Sequence, residues 1–151
     1  MIRIIAVGKK HEPWVVEGLE RYQKRLQKPW SVEWVTLPHS ALEGRTARQE
    51  ESERILGRIK DTDYVVLLDE TGDLLDSPAL SHLLEGVFAT SHSLVIVIGG
   101  AYGVDERLHA RANRVISLSR LVFPHQLVRL ILIEQLYRAQ SIAGGGKYHH
   151  E

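Results

Sequence analysis

Leu94-Val95-Ile96-Val97-Ile98-Gly99-Gly100-Ala101-Tyr102-Gly103 is the stretch that decides the fold. Its first five residues are all apolar, and four of them are β-branched. An amphipathic strand would place every second residue in water. This one does not, so it reads as a strand covered on both faces, as in the interior of a parallel sheet. The run stops at a glycine pair, and Gly103 follows. Glycine lets the backbone approach a ligand closely. Ligands of open α/β sheets sit beyond the carboxyl ends of the strands. The stretch therefore predicts a buried central strand with a binding place at its end.

Moving outward, Tyr64-Val65-Val66-Leu67-Leu68 is a second run of this kind, closed by Asp69-Glu70-Thr71-Gly72. Ile2 to Val7, Val32 to Leu37 and Val115 to Leu118 read as three further strands. Between them lie four helical segments. One begins at Pro13, repeats Val15, Leu19, Tyr22 and Leu26, and ends at Pro29. Thr46 to Ile59 is charged, with few apolar positions, and is expected to be largely exposed. The third starts at Ser77-Pro78, with serine as the cap, and carries the stripe Leu80, Leu83, Leu84, Val87 and Phe88. Asp105 to Ala112 is short. A fifth helix starts at Pro124, and from Leu127 to Ile133 it is apolar on almost every side except at Arg129. Such a helix needs a second covered face, and because the chain has few other elements to cover it, another subunit is expected there, with the centre of its own monomer as the alternative. Alternation of this kind implies one α/β domain over residues 1–151, mostly parallel, with helices on both faces.

The 151 residues suffice for one domain with a full core. Nineteen basic and nineteen acidic residues cancel, so composition gives no support to nucleic-acid binding. With no cysteine, disulfides and zinc–thiolate sites are excluded. The eight histidines form no i, i+4 ligand pair, so no metal is expected. No apolar run reaches membrane-spanning length and no signal-peptide core is seen, so a cytoplasmic location is expected.

Common nucleotide motifs are absent. Gly99 to Gly103 is not G-x-G-x-x-G, and Gly144-Gly145-Gly146-Lys147 lacks the first glycine and the final Ser/Thr of a P-loop. What remains is a convergence of three strand ends: Leu68 onward, Ile98-Gly99-Gly100, and Ser117 to Phe123. The last segment is mostly apolar and lies between a strand and a helix. It suits an adenine ring, which takes apolar walls and backbone hydrogen bonds. On the residues alone, a plain connection with buried leucines is the preferred reading.

Several motifs, taken in order, resemble the RlmH family of small SPOUT-class methyltransferases. They are Ile5-Ala6-Val7-Gly8-Lys9, Tyr22-Gln23-Lys24-Arg25-Leu26, Ile98 to Gly103, Ser117-Leu118-Ser119, Phe123 to Arg129, Glu134 to Ala139, and Tyr148-His149. The resemblance covers essentially the whole chain. It implies a C-terminal trefoil knot, a homodimer with a composite active site, and S-adenosylmethionine as cofactor. The family's cofactor positions fall on Leu68, Gly99, Leu118, Ser119, Arg120, Leu121, Val122 and Phe123. The implied substrate is 23S rRNA of the large subunit or assembled ribosome, methylated at N3 of pseudouridine 1915.

For such a transfer, His149 is the leading candidate for a base or an anion-stabilising group. Tyr148 is placed to stack on the base, and Arg138 to stabilise the imide anion or to pair with Glu134 four residues before it. Arg129, Lys147 and His150 are candidates for holding RNA. Lys24, Arg25, Lys147 and Arg129 are expected near one cleft. The family usually ends Tyr-His-Arg, whereas this chain ends Tyr148-His149-His150-Glu151, replacing a permanent charge with a titratable one. Two other readings fit the same residues: a SPOUT enzyme acting on tRNA, and a flavodoxin-like module that binds without catalysis.

Overall fold

The computed structural model describes residues 1–90 and 92–150; Ser91 and Glu151 lie outside the described residues. Five strands and five helices alternate: β1 (Ile2–Val7), α1 (Pro13–Gln23), β2 (Val32–Leu37), α2 (Gly44–Leu56), β3 (Asp63–Leu74), α3 (Ser77–Phe88), β4 (Ser93–Ile98), α4 (Glu106–Arg111), β5 (Arg114–Ser117) and α5 (His125–Ala143). Every strand pairing is parallel, and the sheet order is β2-β1-β4-β3-β5. β4 lies at the centre, as its unbroken apolar run requires.

Register explains how one apolar run serves two cores. Ile4, Ile96 and Val66 are cross-strand partners, and their side chains share one face. Ile5, Val97 and Leu67 are the next row and point to the other face. The first face is covered by α1, α3 and α5 through Val15, Leu19, Leu80, Leu84, Leu132 and Leu136. The second is covered by α2 and α4 through Ile55 and Leu108. The expected three-layer arrangement is present. α5 packs between α1 and α3 of its own chain, so the intramolecular reading accounts for its buried face.

Three local expectations are corrected. The α3 cap is Asp76 rather than Ser77: its carboxylate accepts from the Ala79 amide at 2.8 Å. α2 is less exposed than its charge suggests, because Ala47, Glu51, Ser52 and Ile55 form a buried face. Two of those four are polar, so counting apolar residues missed the face. β3 does not stop at Leu68 but runs to Leu74, with a register shift between Leu68 and Asp73. Gly72 permits this continuation: a Cβ there would lie 2.6 Å from the backbone of Val115 and Ile116.

Candidate active site at the strand ends

The carboxyl ends of β3, β4 and β5 open into a pocket of about 290 Å³. Leu68, Asp69 and Glu70 come from β3, Ile98 to Ala101 and Gly103 from the turn after β4, and Ser117, Leu118, Ser119, Leu121, Val122 and Phe123 from the segment after β5. Of the eight expected cofactor positions, seven line this space. Arg120 does not, and it is exposed. The turn after β4 is closed by the Gly103 amide donating to the Gly100 carbonyl at 3.0 Å. Gly103 has φ +76°, a conformation that an L side chain rarely adopts. A Cβ on Gly99 would lie 2.8 Å from Val104 Cγ1. After β5, Ser117 Oγ donates to the Ser119 carbonyl at 2.9 Å, and Ser119 Oγ accepts from the Leu121 amide at 2.9 Å. These two serines bend the backbone so that Leu121 and Val122 stand 73% and 81% exposed.

The pocket wall has a distinctive charge. No lysine or arginine lines it, while Asp69 and Glu70 do. A polyphosphate would find no counter-charge here. A flat heteroaromatic base, a sugar carrying hydroxyls and a positive sulfonium would find apolar walls, backbone groups and two carboxylates, so the lining fits S-adenosylmethionine. The sequence places Asp69 at a converging strand end and His125 at a helix start, but it assigned no site role to Asp69, Glu70 or His125. The first two directly follow an apolar strand run, and the strand-end rule alone would have found them. Burial and then the Arg129 charge push the His125 imidazole below its ordinary pKa, against an opposing pull from Glu51. Glu51 itself is 3% exposed. It accepts from the Ser40 amide at 2.8 Å through one oxygen, and the other oxygen has no partner and lies against Gly100. No sequence signal pointed to it.

The three expected catalytic side chains are brought together beside this pocket. Arg138 Nε donates to Glu134 Oε1 at 3.0 Å, one turn away on α5. Its guanidinium lies 4.8 Å from the Tyr148 ring centre, and its Nη1 lies 3.0 Å from His149 Nδ1. The bond to Glu134 holds the Arg138 pKa above its ordinary value, whereas burial comes first in raising that of Tyr148. Tyr148 also meets Tyr137 edge-on at 4.8 Å. His149 and His150 line a second hollow, which shares Ser117 and Leu118 with the first.

The expected RNA-holding residues are not brought together. Lys147 is exposed on the turn after α5. Arg129 is 1% exposed: its Nη1 donates to the Lys9 carbonyl at 2.8 Å and lies 3.3 Å from His11 Nδ1, while Nε has no partner. Burial lowers its pKa, with Glu12 pulling the other way. In this position Arg129 braces the segment after β1 and does not reach the surface. Among the described residues no cluster of His, Asp or Glu is arranged to hold a metal, and no helix is long and apolar enough to cross a membrane.

Known proteins resemble this chain over nearly its whole length. A family model described as "Predicted SPOUT methyltransferase" matches residues 1–149. A protein of Acetivibrio thermocellus named ribosomal RNA large subunit methyltransferase H is 40% identical over 156 aligned residues, covering 98% of each chain. One of the same name from Synechococcus sp. is 45% identical over 148, covering 98% of this chain and 93% of that one. Among solved structures, a probable methylase family protein from Haemophilus influenzae superposes with a TM-score of 0.55 at 15% identity, covering 99% of this chain and 70% of that one. That last likeness speaks to the fold alone.

Proposed function

The chain belongs to the SPOUT methyltransferase family, and from that premise we propose that it methylates N3 of a pseudouridine in 23S rRNA, using S-adenosylmethionine. The relatives' shared name supports the large-subunit RNA as substrate. The observation that carries the reading is the strand-end pocket, built from β3, β4 and the 117–123 segment without a single cation. Leu68, Gly99, Leu118, Ser119, Leu121, Val122 and Phe123 would hold the cofactor; Arg120 stays in the set only through the family resemblance. When bound, the cofactor supplies an electrophilic methyl group on a cationic sulfonium. The protein's share is positioning, which is worth several orders of magnitude in rate when reacting atoms are held in line. The apolar 117–123 segment excludes water from one side, and Asp69 and Glu70 favour a cation.

Arg138, Tyr148 and His149 belong to the substrate side of this reading, with Lys147 and His150 holding RNA. Arg129, buried against the Lys9 carbonyl and His11, is left out of the RNA-holding set. We place the enzyme in the cytoplasm as a homodimer, with a second copy covering the exposed Leu121 and Val122. The C-terminal trefoil knot implied by the family belongs to the same proposal. Calorimetric titration with S-adenosylmethionine tests the pocket. Wild-type protein should bind, and Gly99→Val should not, because the added side chain enters the space between Gly99 and Val104. Equal binding by both would place the cofactor elsewhere.

A further inference from the structure

Helix α2 supplies no wall of the strand-end pocket, yet its buried face meets the glycine turn after β4 at both ends. At the start of the turn, Glu51 Oε1 occupies the place a Cβ of Gly100 would take, and Glu51 Cδ lies 3.1 Å from that point. At its end, Ser52 Oγ accepts from the Asp105 amide at 2.9 Å, just ahead of α4. Between them the turn is closed by the bond from the Gly103 amide to the Gly100 carbonyl.

The Glu51 carboxyl group is itself anchored. Its Oε2 accepts from the Ser40 amide at 2.8 Å, and Ser40, in the connection after β2, is also buried. Its Oε1 is buried without a partner. An unmatched buried acceptor costs stability, and native folds keep few of them. What Oε1 does meet is Gly100, whose missing side chain lets the carboxyl group press directly on the turn. Glycine Cα–H groups are weak donors to such an oxygen. Val7 at the end of β1 closes the other side, 3.2 Å from the same point. Glu51 is also felt inside the pocket: burial and Arg129 lower the pKa of the pocket-lining His125, and the Glu51 charge opposes both.

We propose that Glu51 is a positioning residue for the methyl donor: anchored by the Ser40 amide, its carboxyl group sets the place of Gly100 and so the shape of the turn against which the cofactor lies. The inference rests on the strand-end pocket being the cofactor site, as proposed above. Glu51 touches no reacting atom and acts through Gly100, as Ser52 acts through Asp105. A binding site keeps its geometry to within about 0.5 Å only when supports of this kind hold its lining. The connection after β2 and helix α2 thereby belong to the methyl-donor site.

The test uses the full chain and needs no RNA. Calorimetric titration with S-adenosylmethionine reads affinity, urea unfolding reads stability, and amide hydrogen exchange without cofactor reads the turn. Glu51→Ala should weaken binding about tenfold, a usual size for a residue that acts on a ligand through another. Glu51→Asp keeps the charge but withdraws the group from Gly100 by one methylene, and it should lose nearly as much. Glu51→Gln loses the charge but keeps the shape and an acceptor for the Ser40 amide, and it should restore most of the affinity. In Glu51→Ala and Glu51→Asp the Gly103 and Asp105 amides should exchange faster, while β4 amides follow only the change in global stability. Ile55→Val, one turn along the same helix in the core, should lower stability and leave affinity unchanged. Gly100→Ala should weaken binding in the wild type and have little further effect beside Glu51→Ala, since the carboxyl group it collides with is gone.

Variants at Glu51 that bind as tightly as wild type would overturn the proposal, as would an Ile55→Val protein whose affinity falls in step with its stability. Wild-type affinity in Glu51→Asp together with loss in Glu51→Gln would assign the effect to charge and overturn the hold on Gly100. Wild-type protein that takes up no S-adenosylmethionine would defeat the cofactor reading and this inference with it, whereas binding indifferent to Glu51 defeats this inference alone.

Discussion

In β4, Leu94 to Ile98 keep at most 4% of their surface, whereas Leu121 and Val122, a few residues beyond β5, keep 73% and 81%. The residue types are the same; the surroundings are not. β4 has a hydrogen-bonded strand on each side and helices on both faces, so each side chain is enclosed whichever way it points. The 117–123 segment has one such wall, the strand-end pocket, and two serines hold it open. Apolar residues in the first region contribute to stability. Those in the second contribute almost nothing to it within one chain, which is why the proposed cofactor and second copy are placed against them.

Substitutions on each side of this contrast can break it. Ile96→Ala should cost about 3–4 kcal/mol, the usual loss for a large aliphatic deleted from a tight core. Val122→Ala should stay within about 0.5 kcal/mol. Urea unfolding of both variants checks this, and equal losses would erase the distinction. Gly100→Ala tests the border between the two regions. Its Cβ would press on Glu51 Oε1 and lie 3.2 Å from Val7 Cγ1, so about 1–3 kcal/mol of stability should be lost by the same measurement.

A smaller effect sharpens the second half of the comparison. Leu121→Ser combined with Val122→Ser should leave the unfolding midpoint unchanged at concentrations low enough to keep the protein monomeric. It should weaken cofactor binding about tenfold, as expected for removing roughly 50 Å² of apolar contact. Calorimetry reads the affinity, and sedimentation of the same sample reads self-association, which should also weaken.

The smallest effect concerns pH. His11 and His125 both have pKa values below the ordinary 6.5, first through burial and then through the Arg129 charge. The unfolded chain therefore binds more protons than the folded one between the two values. The associated stability is fully present above about pH 6.5 and is lost as pH falls through the lowered values. His11→Gln with His125→Gln should flatten the slope of unfolding free energy against pH below 6.5. An unchanged slope would assign the acid sensitivity to other groups.

These contrasts also show which parts of the molecule the sequence could reveal. β4, β3 as far as Leu68, and α3 are legible because apolar spacing is a direct consequence of which faces are covered. The end of β3 is not, because Asp69 to Leu74 remains a strand only by the close approach at Gly72, a tertiary fact. The buried face of α2 is hidden because the Ser40 amide donates to Glu51 Oε2 and the Asp105 amide donates to Ser52 Oγ, which lets both polar side chains be buried. The strand-end pocket was legible from three glycine- or serine-bearing strand ends. The burial of Arg129 was not: an arginine on an apolar helix reads as a surface charge until the Lys9 carbonyl and His11 are seen beside it.

The most direct test of the central claim is transfer of a labelled methyl group. Large ribosomal subunits lacking the modification would be incubated with the protein and methyl-labelled S-adenosylmethionine, and nuclease fragments of the RNA then mapped by mass spectrometry. The account predicts one added methyl, on N3 of a pseudouridine in 23S rRNA. Protein that binds the cofactor but labels only tRNA, or no RNA at all, would contradict it.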